Sequence, residues 1–442
     1  MMNVKELINK AKLAGISDIE VYQSITDSTS ISIFNGEVDK STINSSNVYS
    51  IRAIYNDKMS AYTFENQEAN LDEIIEKLKE NAKAITATEE VEIFGGSEKY
   101  ETIEREDGKF KEHTIAEKVA LAKEVEKIAK SLDTRIVLVN YCVYEEEKNT
   151  VKIINSKGLD LEKKAEYGVL VLGVVSKDET PNPQNGFEVK VALNYDELDP
   201  EKIAKEAVKQ AVSMLGAAPC ESKTYPVIIE NKAMASLLGG FDSIFTGEAL
   251  LNKVTPLAGK EGTKIMQDCV TILDAPLDKA AVSAQPFDDE GVACYNKAIV
   301  ENGVFKTFMH NLKTAKKFNT TSTANGVKAG DRITTGSYNL FIEKGEKTKE
   351  ELIASLDEGL LIDDLSGLHA GLNPISCDFS AQSSGYLIKN GKIERPVTLI
   401  VVSGNFLKMM NDIEAIGSDL YLGYNGTGAP SILFKGLPVS GK

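Results

Sequence analysis

One order of local signals constrains this 442-residue chain more than any other: helix, several strands, helix, written twice in the first 220 residues. Asn3 with Glu6 makes a helix start, followed by apolar Val4, Leu7, Ile8 and Ala11 on one face. Strand-like runs follow at 19–25, 30–34, 48–55 and 59–64, with turns at Asn35-Gly36 and Asn56-Asp57 between them. Asn70 and Glu73 then open a helix over 71–84. The order recurs. Thr114 and Glu117 form a capping-box pattern before a helix over 115–132, and strand-like runs occupy 136–144, 151–155, 167–176 and 187–193. Asp199 as cap and Pro200 at the first helical position begin a helix over 201–215. The pattern predicts an N-terminal α/β domain, 1–220, built by internal duplication from two similar units at about 1–110 and 111–220.

After Ala218-Pro219 the texture changes. Hairpin signals at Asn302-Gly303 and Asn390-Gly391 lie among β-rich runs at 227–230, 270–273, 297–300, 304–310, 386–389 and 397–402. Only 233–251 and 349–356 read as helices of any length. Residues 221–442 are therefore expected to form an antiparallel, barrel-like β-rich domain, which makes the whole chain α+β.

The net charge of −16, from 50 basic and 66 acidic side chains, repels phosphate backbones and anionic membranes, so direct nucleic-acid contact is not expected. No run of 18 apolar residues exists, and the first ten residues lack the apolar core of a signal peptide. The five cysteines (Cys142, Cys220, Cys269, Cys294, Cys377) are scattered and never paired as C-x-x-C, which suits a reducing compartment. A cytoplasmic protein is expected.

A catalytic zinc needs about three protein ligands, commonly presented as H-E-x-x-H on one helical face. The chain has three histidines, His113, His310 and His369, far apart and without a partner at ligand spacing. His369, in the glycine-flanked Gly367-Leu368-His369-Ala370-Gly371, is the one that stands out. No G-x-S-x-G elbow occurs. Cys377 reads as a small, semi-buried cysteine, and Cys142, Cys269 and Cys294 as core residues. The C-terminal Gly436-Leu437-Pro438-Val439-Ser440-Gly441-Lys442 satisfies G-x-x-x-x-G-K, but it contains proline and is followed by no helix, so it makes no phosphate cradle. Asp288-Asp289-Glu290-Gly291 is a carboxylate cluster. It is read first as a solvated turn, with acid/base work or a hard cation as the alternatives.

Several segments together resemble a known family, the TldD/PmbA proteins, also labelled modulators of DNA gyrase. They are Asp289-Glu290-Gly291-Val292, Ile299-Val300-Glu301-Asn302-Gly303-Val304, and Gly371-Leu372-Asn373-Pro374 leading to Asp378-Phe379-Ser380. Gly385-Tyr386-Leu387-Ile388-Lys389-Asn390-Gly391, Pro396, Ser403-Gly404-Asn405 and Met410 complete an ordered signature running nearly end to end. The resemblance implies a metallopeptidase complex of two related chains that cuts small or unfolded peptides. In it, the TldD type carries zinc through His-Glu-x-x-x-His and a cysteine in Gly-x-Cys-Gly. Here the corresponding helix reads Leu237-Leu238-Gly239-Gly240-Phe241-Asp242-Ser243-Ile244, and the C-terminal motif is Gly426-Thr427-Gly428. Cys377 stands where relatives often carry glycine. The chain thus looks like the PmbA (TldE) type: no catalytic residues, no metal ligands and no cofactor of its own, with zinc in the partner. The expected partners are a zinc-bearing TldD-like subunit and a peptide substrate, with a homodimer as the form when alone. Candidate peptide or partner contacts are Asp289, Glu290, Gly291, His369, Asn373, Pro374, Asp378, Phe379, Ser380 and Asn405. The rival reading is a non-proteolytic interaction protein that modulates DNA gyrase or a related partner.

Overall fold

Asn3 caps helix α1 (Val4–Leu13) by accepting the Glu6 amide at 3.2 Å, and the chain then enters a sheet of long strands. The computed structural model describes residues 2–65, 70–86 and 92–442. Three strands follow α1: β1 (Asp18–Phe34), β2 (Glu37–Tyr55) and β3 (Lys58–Glu65), and then helix α2 (Leu71–Ala84). The second set is α3 (Ile115–Leu132), β4 (Ile136–Asn155), β5 (Asp160–Ser176), β6 (Gln184–Ala192) and α4 (Pro200–Ser213). Asn35 and Gly36, at φ 52° and 78°, make the two-residue turn whose left-handed backbone suits the twist of adjoining strands.

The six strands form one antiparallel sheet in the order β3-β2-β1-β4-β5-β6. Its centre is the β1–β4 seam, paired from Glu20 opposite Asn155 to Ser32 opposite Val143. Runs 19–25 and 30–34 are thus one strand, and so are 136–144 and 151–155. Their polar middles stay extended because partners bond both edges: Asp27 lies opposite Ser45 on one side and Lys148 on the other. Leu7 and Ala11 of α1 and Ile74, Ile75 and Leu78 of α2 pack on Ile19, Val21, Tyr49 and Ile51. Ala122, Val125 and Ala129 of α3 and Ala204, Ala207 and Ala211 of α4 pack on Ile31, Ile33, Val139 and Leu172. Alanines bring α4 so close to β6 that a Cβ on Gly186 would lie 1.9 Å from the Ala207 carbonyl oxygen.

The second half carries a closed five-stranded barrel, and the described residues are 24% helix and 42% strand. Around the barrel run Glu358–Ser366, Lys223–Ile229, Ile432–Ser440, Lys392–Asn405 and Asp378–Lys389, which pairs back onto the first. One pair is parallel: Leu360, Leu361 and Ile362 align with Val227, Ile228 and Ile229. Beside the barrel stands a sheet of short strands that includes Ile272–Asp274, Lys297–Glu301, Leu340–Ile342 and Thr427–Ala429. The expected helix over 233–251 is three pieces: α5 (Asn231–Phe241), a 3-10 turn over Asp242–Phe245, and Gly247–Leu251 capped by Thr246. The expected strand at 304–310 stops at Phe305, because the chain turns into the loop that buries Phe308 and His310. Among the described residues, no helix is long and apolar enough to cross a membrane.

Candidate functional site

Helix α5 lies against Thr427–Ala429, which brings two sequence-distant motifs together. A Cβ built on Gly239 would sit 3.3 Å from the Thr427 side chain, and one on Gly240 would sit 2.1 Å from Leu372 Cδ1. The methyl and hydroxyl of Thr427 and the end of the Leu372 side chain therefore fill the space in front of the two glycines. The Thr427 hydroxyl donates to Asn425 Oδ1 at 3.0 Å. One turn on, Asp242 receives the Ser337 hydroxyl at 3.1 Å, and burial pushes its carboxyl above the usual range.

The three histidines stay apart. His113 stacks on Tyr195 with ring centres 3.6 Å apart. His310 is buried, its Nδ1 3.1 Å from the Thr314 hydroxyl, and burial lowers it to about 4. His369 is exposed on the short helix Leu368–Gly371. Among the described residues, no group of three or more His, Cys, Asp or Glu side chains is arranged to hold a metal ion. Among the described residues, those able to ligate zinc are thus not gathered at α5. All five cysteines are free; Cys269 is exposed, not the core residue expected, because it sits in a turn ahead of the strand that starts at Ile272. Cys377 adopts φ 62°, the left-handed conformation that glycine takes most easily.

The candidate contact residues fall into two groups. His369, Asn373, Pro374, Asp378, Phe379, Ser380 and Asn405 surround one end of the barrel. Asn373 Oδ1 accepts the Ile375 amide at 3.0 Å, and Asn405 Nδ2 donates to the Ser376 carbonyl at 2.7 Å and to Asp378 Oδ1 at 2.8 Å. The Asn405 and Ser376 bonds hold Asp378 below the usual carboxylate range. Phe379 is buried beneath, while His369, Asn373, Asp378 and Ser380 face solvent. Leu372, paired with Phe379, joins this segment to Gly240 of α5.

The second group, Asp289, Glu290 and Gly291, is a turn but not a solvated one. It lies under the N-terminal sheet, where Asp288 is fully buried and Glu290 is 4% exposed. Asp289 meets Lys163 Nζ at 2.9 Å and the Tyr22 hydroxyl at 3.1 Å. Glu290 accepts the Leu312 amide at 2.8 Å and faces Arg52 at 3.6 Å, and Arg52 in turn pairs with Glu20 at 2.6 Å. Tyr100 donates to the Gly291 carbonyl at 2.8 Å. Gly291 has φ +84°, and a Cβ there would lie 2.6 Å from Leu159 Cδ2, so only glycine lets the sheet come this near. Beside Glu290 opens a cleft of about 730 Å³ between sheet and C-terminal domain, lined by Arg52, Lys58, Glu248, Leu312 and Arg332 among others. Sequence reasoning missed Glu20, Arg52 and Lys163 as the turn's partners. For two of them the available signal was a lone charge inside an apolar strand run, Glu20 between Ile19 and Val21 and Arg52 between Ile51 and Ala53; Lys163, beside Glu162 and Lys164, carried none.

Three family descriptions match in chain order: PmbA/TldA metallopeptidase domain 1 over residues 19–82, the central domain over 108–215 and the C-terminal domain over 222–441. The chain belongs to the PmbA/TldD family. A PmbA metalloprotease homolog of Buchnera aphidicola is 29% identical over 61% of this chain, which spans only 58% of that relative's length. A Thermotoga maritima protein described as a modulator of a DNA gyrase has the same fold at a TM-score of 0.92. It is 32% identical, with 99% of each chain covered. TldE from Thermococcus kodakarensis matches at a TM-score of 0.91, covering 99% of this chain and 100% of that one. At 24% identity that likeness speaks for the fold.

Proposed function

We propose that this PmbA/TldD-family chain is the TldE-type subunit of a two-chain metallopeptidase of the cytoplasm. It carries no zinc and acts by completing the peptide-binding chamber of a zinc-bearing, TldD-type relative. The observation that carries the reading is the meeting of Gly239 and Gly240 with Thr427 and Leu372, where a threonine and a leucine side chain occupy the place in which the resemblance puts ligands. The solvent-facing His369, Asn373, Asp378 and Ser380 supply contacts to the partner or to an extended peptide, and Glu290 borders a separate cleft. Five free cysteines, four of them buried, support a reducing location.

Two measurements test this. Elemental analysis of the dialysed chain should find no stoichiometric zinc. A three-ligand protein site would hold its metal by about 10 kcal/mol, so one retained zinc per chain would sink the reading. Peptide cleavage is then followed with this chain, a zinc-bearing relative, and their mixture. Only the mixture should degrade an unstructured peptide efficiently, and chelation should abolish it. Chelator-resistant cleavage by this chain alone, or full activity of the relative alone, would each refute the subunit role.

A further inference from the structure

Helices α1 to α4 all pack on one face of the N-terminal sheet. On the other, outer face, β1 follows the rule for a sheet that meets water. Ser24, Thr26, Ser28, Ser30 and Ser32 point outward, while Ile31 and Ile33 face the helices. β5 and β6 break that rule. Register puts Val169, Val171 and Val175 of β5 on the outer face, and they are as apolar as Leu170, Leu172 and Val174 beneath them. β6 is inverted outright. Its inner positions are Gly186, against the Ala207 carbonyl, and Glu188, bonded to Gln210 of α4, while Phe187, Val189 and Val191 turn outward. Phe187 is 56% exposed and Tyr141 48%, and their rings meet 6.3 Å apart across Gly173, which lies opposite both. A strand whose apolar side turns away from its own helix layer is built to be covered from outside.

We propose, resting on the peptide-binding role inferred above, that this strip holds an extended segment of unfolded peptide. Alternate apolar side chains of the segment sit on β5 and β6, and a lysine or arginine reaches Glu145 and Glu147.

Size, charge and place favour that occupant. From the Glu145–Val169–Val191 row to the Leu138–Val175 row the strip is roughly 20 Å long, and across its three strands it is roughly 15 Å wide. Such an area, roughly 300 Å², falls well short of the about 800 Å² per partner of a stable protein pair, but it matches about six residues of extended chain.

At one end of the strip Glu145 lies opposite Val169 and Glu147 opposite Tyr167. Ser30 donates to Glu145 at 3.3 Å, and Tyr167 hydrogen-bonds Glu147. On the inner face Glu146 pairs with Lys118 and Glu166 with Lys148, whereas among the described residues neither Glu145 nor Glu147 has an ion-pair partner. The cations of the outer face are engaged or distant: Arg52 is held by Glu20, Lys163 by Asp289, and Lys40 stands on β2, beyond β1. An incoming cation therefore meets two carboxylates with no competitor. Tyr424, 59% exposed, adjoins Tyr167 and belongs to the turn closed by the Gly423 amide on the Thr427 carbonyl at 2.7 Å. The strip thus leads toward the place where Thr427 faces Gly239.

Fluorescence anisotropy on the full chain tests this with a labelled octapeptide that alternates leucine with serine and carries one lysine. Phe187→Ser and Tyr141→Ser, both at exposed positions, should each weaken binding about fivefold. Replacing the lysine of the peptide by glutamate should also weaken it about fivefold, and Glu145→Gln together with Glu147→Gln should erase most of that difference. The peptide swap leaves the protein unaltered and serves where a variant does not fold. Affinity that ignores both aromatic substitutions, equal binding of the two peptides, or no saturable binding up to about 1 mM would each overturn the assignment. Variants that bind peptide normally yet no longer pair with a zinc-bearing relative would overturn it too, and would give the strip to the partner chain. Neither zinc nor a relative takes part in the binding assay, so its failure is separable from that of the subunit role, which the cleavage assays read.

Discussion

His310 offers a charge whose effect on stability can be worked out in sign and size. Its ring is 2% exposed, bonded to Thr314 and packed between Phe308 and Phe318, and burial lowers it from 6.5 to about 4. The folded state therefore holds a neutral imidazole where the unfolded chain binds a proton near pH 6.5. The stability this contributes is fully present above that value and is lost as pH falls toward 4. Between pH 7 and pH 5 the imbalance is worth about 1.8 kcal/mol, which screening by nearby water trims to roughly 1 kcal/mol. His310→Phe removes the titration and leaves Thr314 its bond to Asn311. Urea unfolding at the two pH values should show wild type losing about 1 kcal/mol more than the variant on acidification. Parallel losses in the two would refute the reasoning.

Two packing predictions stand on glycines. Gly186→Ala drives a Cβ into the Ala207 carbonyl of α4, where backbone cannot yield, and should cost about 3 kcal/mol in denaturant unfolding. Gly240→Ala meets only the end of the half-buried Leu372 side chain, so it should cost about 1 kcal/mol. In a double-mutant cycle with Leu372→Ala, the two changes should couple by at least about 0.5 kcal/mol, and strict additivity would count against their contact.

Elements governed by local chemistry were legible in the sequence. Asn3, Asn70, Thr114 and Asp199 all cap the helices they announce, and helices 71–84 and 115–132 have the expected ends. The turn at Asn390-Gly391 likewise sits where its residues put it, at φ 49° and 70°. Strand continuity was not legible. Thr26 through Thr29 and Glu145 through Thr150 carry no apolar alternation and are extended only because strands on both sides bond them. The break of the 233–251 helix after Phe241 was equally hidden, since Thr246, a new cap, looks like any mid-helix threonine. At the candidate site, the meeting of Gly239 with Thr427 lies 188 positions apart in the chain and depends on tertiary packing alone. The carboxylate turn misled for a related reason: Asp288, Asp289 and Glu290 look solvated until Arg52 and Lys163 arrive from strands more than a hundred residues away.

The barrel has a bearing on the order of synthesis. Its first stave in the chain, Lys223–Ile229, is flanked by Glu358–Ser366 on one edge and by Ile432–Ser440 on the other. A ribosome that has finished residues 1–220 has delivered every strand of the N-terminal sheet, which can fold while elongation continues. The barrel cannot close in that way. Until residues 432–440 emerge, Lys223–Ile229 keeps one edge unpaired, and Ile228 and Ile229 await Leu433 and Ile432. A nascent chain stalled before that point would hold a folded sheet tethered to an open, edge-exposed half-barrel, the form that chaperones and proteases recognise first.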